Sequence, residues 1–218
     1  MLKLDNVTKS YGPSKVLNNI SIEIPEKETI ALLGRNGSGK STILKLFCGL
    51  LMPDSGNIVK KPHEHEISYV STSERSFFHR LSIYENLDFF LSFHFIDKKT
   101  RNELINLKLI EFGLESKSNQ EYCTLSSGEK KKLSIIRAIA KNPKILLLDE
   151  YTTSLDYKTR WEAKEMLLSL KKKNPEITII FSTHYFEEII GFASSMLVFN
   201  RSGDLNFFKV PEDFKLSD

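Results

Sequence analysis

The feature that most constrains this chain is a glycine-rich run directly after a short apolar segment. Residues 34–41 read Gly-Arg-Asn-Gly-Ser-Gly-Lys-Ser, which matches the pattern G-x-x-x-x-G-K-[ST] at every restricted position. Residues 29–33 form a continuous apolar stretch typical of a buried parallel strand, and a helical pattern follows over residues 41–50. A strand, a glycine-rich turn and a helix in this order predict a phosphate-binding loop in an α/β protein.

The residue types in this loop suit a phosphate group. Glycines let the backbone curl so that successive N–H groups point inward, and the helix that follows adds its positive end. Lys40 is predicted to reach the β- and γ-phosphates, and the Ser41 hydroxyl to ligate Mg²⁺. The candidate ATP-binding residues of this region are Gly34, Arg35, Asn36, Gly37, Ser38, Gly39, Lys40, Ser41 and Thr42.

A site for Mg²⁺ and phosphate also needs a carboxylate, and the second half of the chain offers a pair. The apolar run at residues 144–148 leads directly into Asp149 and Glu150. The carboxyl edge of a parallel sheet is where α/β proteins bind their ligands. Asp149 is therefore predicted to hold Mg²⁺ together with Ser41, and Glu150 to polarise the attacking water.

Strand and helix patterns alternate along the rest of the chain. Residues 2–7 and 17–24 are predicted to be antiparallel strands joined by a turn at residues 12–14. The alternation predicts an α/β fold of the P-loop type: a mostly parallel core sheet, an N-terminal antiparallel β subdomain and a small helical subdomain. We expect one domain over residues 1–218, with the helical subdomain inserted at about 83–140. Further predicted elements are helical segments at 83–121, 128–141 and 157–172 and a strand at 177–181.

Residues 125–129 lie between the two motifs and read Leu-Ser-Ser-Gly-Glu, followed by a basic amphipathic helix. With the motifs on either side, this run resembles the ATP-binding subunits of ABC transporters, whose signature reads L-S-G-G-Q. The resemblance covers residues 2 to about 208, with the motifs in family order. It implies an ATPase with ATP and Mg²⁺ as cofactors, which drives transport through a separate integral-membrane permease from the inner, cytoplasmic face of the cell membrane.

The resemblance implies roles for further residues. Tyr11 matches the aromatic residue that stacks on adenine, and His184 matches the switch histidine that contacts the γ-phosphate beside Glu150. Asp156 lies in the loop at residues 154–156, which crosses to the partner subunit in this family. Two ATP-binding chains, identical or related, are thus expected to sandwich two ATP molecules head to tail. The signature residues that would act on the partner's ATP are Ser126, Ser127, Gly128 and Glu129.

The chain departs from the family pattern at several positions. Ser127 stands where the signature has Gly, and Glu129 stands in place of Gln, which is expected to bring a negative charge near the site. The glutamine that ligates Mg²⁺ in the family is missing, and Thr72 or Ser73 takes its place. Residues 74–87 resemble the branch of ABC exporters for drugs, lipids or polysaccharides, which predicts an exporter.

An unusually apolar segment occupies residues 87–96. A helix has 3.6 residues per turn, so these side chains cannot all face the same side. Two interpretations stay open, a docking surface for the permease and the core of the helical subdomain. The segment contains Leu87, Phe89, Phe90, Leu91, Phe93, Phe95 and Ile96.

Composition narrows the remaining functions. The 31 Lys and Arg residues against 28 Asp and Glu give a net charge of +3, too balanced to indicate a nucleic-acid partner. No apolar stretch reaches the roughly 18–20 residues of a membrane span, so a soluble protein is expected. Cys48 and Cys123 lack metal-site spacing and are expected to be reduced thiols, as in the cytosol. The alternatives are a soluble ABC ATPase outside transport and a weakly hydrolysing regulatory subunit.

Overall fold

The structure is a computed structural model that describes residues 1–61, 63, 66–71, 77–94, 96–153, 155–200 and 203–211. Its strands are β1 (Leu2–Tyr11), β2 (Ser14–Ile24), β3 (Thr29–Leu33), β4 (Ser55–Lys60), β5 (Ile67–Val70), β6 (Ile145–Asp149), β7 (Thr178–Thr183), β8 (Ser195–Phe199) and β9 (Leu205–Lys209). Its α-helices are α1 (Lys40–Phe47), α2 (Ile83–Ser92), α3 (Lys98–Glu111), α4 (Ser127–Ile139) and α5 (Tyr157–Lys173).

The strands form two sheets. An antiparallel three-stranded sheet has the order β2-β1-β4, and a six-stranded sheet has the order β5-β6-β7-β3-β8-β9. The six-stranded sheet is parallel except for β9, which pairs antiparallel with β8 at one edge. This arrangement confirms the predicted α/β fold with a mostly parallel core and an antiparallel N-terminal sheet.

The central strands are buried on both faces, as their continuous apolar sequences predict. Successive side chains of a strand point to opposite faces. In β3, Ile30 and Leu32 pack in the core shared by α1 and the N-terminal sheet, whereas Ala31 and Leu33 pack in the core shared with α2, α3, α4 and α5. The parallel sheet therefore lies between two apolar cores.

The register of the parallel strands brings their carboxyl ends to one edge. Leu33 of β3 pairs with Thr183 of β7, and Ser182 of β7 pairs with Asp149 of β6. Val70 at the end of β5 pairs with Leu148 of β6. The segments that follow these strands therefore emerge side by side, which is where ligands bind in open α/β sheets.

Several element boundaries differ from the predicted ones. The helix predicted at 41–50 is α1, which ends at Phe47 because Gly49 adopts a left-handed φ of 81°. The helix predicted at 128–141 is α4, which begins one residue earlier and ends at Ile139. The strand predicted at 177–181 is β7, which continues to Thr183 because its pairing with β3 continues. The helical stretch predicted at 83–121 is divided between α2 and α3, with Asp97 capping the second helix.

The apolar segment is divided between buried and exposed side chains. Leu87 and Leu91 are buried in the core that the parallel sheet shares with α2, α3, α4 and α5. Phe89 and Phe93 are 39% and 64% exposed. Phe95 lies outside the described residues. In the described part of the chain, no helix combines the length and apolarity needed to cross a membrane.

Candidate functional site

The loop at residues 34–39 joins β3 to α1. Gly39 has a φ of 106°, and a Cβ at this position would meet Cδ2 of Leu17 at 2.8 Å, so both backbone and space require glycine here. The hydroxyl oxygen of Ser38 is buried and has no hydrogen-bond partner among the described residues. An unsatisfied buried hydroxyl costs about 1–3 kcal/mol. A phosphate oxygen at this loop is an acceptor that would satisfy it.

Lys40 begins α1, and its side chain folds back across the loop. The residue is only 4% exposed, and its Nζ donates to the carbonyl oxygens of Gly34 at 2.9 Å and Arg35 at 3.2 Å. Oε1 of Glu150 lies 3.8 Å from the same ammonium group. The loop thus carries a buried positive charge that can form short, charge-assisted hydrogen bonds with an anion.

Asp149 ends β6 and is 3% exposed. Its Oδ1 accepts hydrogen bonds from Ser41 Oγ at 2.9 Å and from Ser182 Oγ at 2.8 Å, while Oδ2 accepts one from the Tyr69 hydroxyl at 2.9 Å. Burial, together with the negative charge of Asp149, raises the pKa of Tyr69 far above its usual value, so the phenol is a protonated donor at neutral pH. The structure joins Ser41 to Asp149 across 108 residues of sequence.

Glu150 leaves β6 with an unusual backbone. Its φ is 44°, in the left-handed region, where a residue other than glycine is strained by about 1–2 kcal/mol. Its backbone N–H donates to Ser182 Oγ at 2.8 Å, which holds this conformation. The turn directs the Glu150 side chain, which is 25% exposed, into the cleft at the mouth of the phosphate loop.

That cleft has a volume of about 420 Å³. The Tyr11 hydroxyl lies 3.4 Å from Thr42 Oγ1, and the Tyr11 side chain is 47% exposed at the rim, where a flat ring could stack. Arg35 and Ser38 instead line a neighbouring cleft on the other side of the loop. The main cleft is lined by Tyr11, Val16, Asn36, Gly37, Gly39, Lys40, Ser41, Thr42 and Glu150.

His184 follows directly after β7, at the same edge of the sheet. It is exposed, and its ring lies 4.1 Å from the ring of Tyr185. Within the described part of the chain, it makes no hydrogen bond to Glu150 or Lys40. The structure therefore places His184 at the predicted edge, as an exposed side chain that makes no hydrogen bond to Glu150 or Lys40 among the described residues.

The signature residues begin α4. Ser126 caps the helix, since its Oγ accepts from the backbone N–H of Glu129 at 3.3 Å, and the Glu129 carboxylate accepts from the backbone N–H of Ser126 at 2.9 Å. Lys117 forms an ion pair with Glu129. Partial burial alone would raise the pKa of Glu129, but Lys117 and the donors of Ser126 outweigh it and leave the pKa below its usual value. The negative charge expected at position 129 is therefore present, and it is engaged in a helix cap and an ion pair.

Asp156 caps α5. Its carboxylate accepts from the backbone N–H of Thr159 at 2.9 Å and from the Thr159 hydroxyl at 2.8 Å. Thr159 also packs against Gly128 of α4, where a Cβ would lie 2.5 Å from Cγ2 of Thr159. The beginnings of the signature helix and of α5 therefore form one packed unit. Thr72, Ser73 and Ser154, which the sequence also indicates, lie outside the described residues.

Sequence reasoning missed two residues of this site, Ser182 and Tyr69. Both hydrogen-bond to Asp149. Tyr69 lies on β5, and Ser182 lies one residue beyond the strand predicted at 177–181. Ser182 stands two residues before His184, which is a weak signal that β7 reaches the site. Neither contact can be read from a single sequence, because it depends on β5 and β7 being the two neighbours of β6.

The chain is similar to known proteins over most of its length. The profile of the ABC transporter family matches residues 17–153. The spermidine/putrescine import ATP-binding protein PotA of Clostridium acetobutylicum is 33% identical over 223 residues, which cover 98% of this chain and 62% of that protein. PotA of Legionella pneumophila is 35% identical over 214 residues, covering 92% of this chain and 57% of the relative.

A solved structure shares the fold. The structure of cbiO1 from Clostridium perfringens, described as part of the ABC transporter complex cbiONQ, matches with a TM-score of 0.82 and 26% identity over 94% of this chain and 86% of that one. The chain spans about 62% of the length of the first PotA relative. The PotA proteins are import proteins by name, so they do not support the exporter branch predicted from residues 74–87. Fold, motifs and family profile agree, and the chain belongs to the ABC transporter family of ATPases, as one of its ATP-binding domains.

Proposed function

We propose that this chain binds Mg²⁺–ATP in the cleft between the phosphate loop and the end of β6, and hydrolyses it. The observation that carries the proposal is the meeting of Lys40, Glu150 and the Ser41–Asp149 pair at one edge of the sheet. These groups come from two segments 108 residues apart. A buried cation, a hydroxyl with a carboxylate and a second, partly exposed carboxylate are the groups that phosphoryl transfer to water needs.

The donor set fits the magnesium ion that accompanies ATP. A serine hydroxyl and a buried carboxylate are hard oxygen ligands, which Mg²⁺ prefers. Ser41 and Asp149 would hold the ion, which neutralises charge on the phosphates when bound. The loop N–H groups and Lys40 would bind the phosphate oxygens, and the exposed ring of Tyr11 would stack on the adenine base.

In the proposed reaction, Glu150 orients a water molecule and accepts its proton. The water oxygen forms a bond to the γ-phosphorus, and the bond from that phosphorus to the bridging oxygen breaks, leaving ADP and phosphate. The position of Glu150 at the cleft, 3.8 Å from Lys40, supports this role. His184 would contact the γ-phosphate from the neighbouring strand end.

The second half of the site is proposed to come from another ATP-binding subunit. Among the described residues that line the cleft, none belongs to the signature at 126–129. Ser126 and Ser127 are exposed at the positive end of α4, so they are available to the phosphates of a partner. Asp156 would belong to the loop that crosses between the two subunits.

We further propose that hydrolysis drives solute import through a separate integral-membrane permease, with this chain on the inner face of the membrane. The names of the PotA relatives support import, and the membership of cbiO1 in an ABC transporter complex supports assembly with other subunits. The exposed rings of Phe89 and Phe93 supply an apolar surface suited to such a partner.

The test is steady-state ATP hydrolysis by the wild type, a Glu150→Gln variant and a Glu103→Gln control. Glu103 is an exposed residue of α3, so its substitution makes the same chemical change away from the cleft. We expect the Glu150 variant to lose about 100-fold or more in turnover while still binding ATP, because it lacks the proton acceptor. Wild-type turnover no higher than that of the Glu150 variant would refute hydrolysis and favour a regulatory subunit.

A further inference from the structure

Tyr69 reaches the nucleotide site from the edge strand of the parallel sheet. It lies on β5, where it pairs with Leu147 of β6, and its hydroxyl donates to Oδ2 of Asp149 at 2.9 Å. The ring is partly buried against the core that contains α1. A phenylalanine would fill the same apolar space, so packing alone does not account for the hydroxyl group.

The two carboxylate oxygens of Asp149 have different numbers of hydrogen-bond donors. An ionised carboxylate has about four lone-pair positions, two on each oxygen. Ser41 and Ser182 together occupy both positions of Oδ1. Among the described residues, only Tyr69 donates to Oδ2, so this oxygen keeps an acceptor position for a metal ion or its bound water.

We propose that Tyr69 is a positioning residue whose hydroxyl fixes Oδ2 of Asp149 and thereby sets the affinity of the site for the Mg²⁺ that accompanies the nucleotide. Groups that hydrogen-bond to a metal ligand commonly change metal affinity by about 10- to 100-fold. The inference rests on the proposed Mg²⁺–ATP site and adds a residue that approaches it from β5.

The experiment measures nucleotide binding without turnover. The probe is a fluorescent, non-hydrolysable ATP analogue (mant-AMP-PNP), titrated onto the wild type and Tyr69→Phe in EDTA and then at increasing Mg²⁺ concentrations. In EDTA we expect the two affinities to agree within about twofold, because Tyr69 does not touch the phosphate loop. The Mg²⁺ concentration that gives half of the tightening should rise about 10-fold or more in the variant.

Tyr84→Phe is the matched control. Its hydroxyl donates to Asn102 within the α2 and α3 region, so the substitution removes one tyrosine hydrogen bond away from Asp149. A second variant, Tyr69→Met, fills the space with an unbranched side chain that adapts to irregular gaps and carries no hydroxyl. Thermal unfolding of each variant shows that it is folded before binding is measured.

The outcomes separate this inference from the function on which it rests. Wild-type protein that fails to bind the analogue with Mg²⁺ refutes the proposed nucleotide site. Tight wild-type binding combined with unchanged Mg²⁺ dependence in a folded Tyr69 variant overturns the role of Tyr69 alone. A shift in both Tyr69 variants and none in Tyr84→Phe supports it.

Discussion

Ser182 is the residue that hydrogen-bonds to both acidic residues of the site. It is fully buried, donates to Oδ1 of Asp149 at 2.8 Å, and accepts from the backbone N–H of Glu150 at the same distance. One hydroxyl therefore orients a carboxylate together with Ser41 and Tyr69, and it also holds the left-handed backbone beside that carboxylate. Such a strained conformation persists only where the surroundings hold it.

Replacing Ser182 with alanine should affect both acidic residues. The N–H of Glu150 loses its acceptor, which we expect to cost about 1–3 kcal/mol in the free energy of unfolding. ATP turnover should fall by about 10- to 100-fold, since orientation of the Asp149 and Glu150 carboxylates is lost. Denaturant unfolding and phosphate release measure the two effects.

Ser134→Ala is the control for that substitution. Its hydroxyl donates to the carbonyl oxygen of Lys130 within α4, so the same atom is removed from a bond distant from the acidic residues. Turnover in Ser182→Ala equal to that in Ser134→Ala would show that the hydroxyl of Ser182 does not position the acidic residues.

Among the secondary structure elements, α4 and α5 are joined at their first turns. Gly128 is the second residue of α4, and it packs against Thr159, the third residue of α5. The Thr159 hydroxyl donates a hydrogen bond to the carboxylate of Asp156. The absent side chain at Gly128 is what allows this approach. The signature helix and the segment after the predicted crossing loop are therefore in direct contact.

Gly128→Ala tests this contact. Alanine in a helix gains about 0.5–1 kcal/mol over glycine, but the added Cβ would lie 2.5 Å from Cγ2 of Thr159. We expect a net loss of about 1–3 kcal/mol in unfolding free energy, as for other overpacked sites. Thr159→Ser removes that methyl group and keeps the hydroxyl that Asp156 binds, so the double variant should recover most of the loss. Additive losses in a denaturant double-mutant cycle would place the strain elsewhere.

The sequence could predict the elements of the site better than their contacts. The apolar run before residue 34 and the one before Asp149 are local patterns, and each correctly indicated a strand that delivers its motif to one edge. The bonds of Ser182 and Tyr69 follow from strand order, which local periodicity does not contain. The ion pair of Glu129 with Lys117 joins residues twelve apart in the sequence, so the partner of this charge could not be predicted from the local pattern.

For the whole molecule, the main consequence of the fold is that the nucleotide cleft and the signature are separate surfaces of one chain. In the part of the chain that the structure describes, the cleft lining contains residues of the phosphate loop and Glu150 and none of the signature. A head-to-tail pair would bring the signature of each copy to the cleft of the other. Self-complementary pairing of this kind is the ordinary geometry of twofold dimers.

Mixing two inactive variants tests that pairing. Lys40→Ala removes the buried cation of the phosphate loop and leaves the signature intact. Ser127→Glu places a negative charge at an exposed position in the first turn of α4, where an acidic residue suits its own helix but repels a partner's phosphate. Each variant alone should be inactive, because both of its composite sites contain one defect.

An equimolar mixture should recover activity if two copies of this chain pair. Random pairing gives about half mixed dimers, and each mixed dimer has one site built from an intact loop and an intact signature. We therefore expect phosphate release at about a quarter of the wild-type rate, rising with protein concentration as dimers form. A mixture as inactive as its components would show that copies of this chain do not complete each other's sites. In that case the second half of the site must come from a different subunit or from the chain itself.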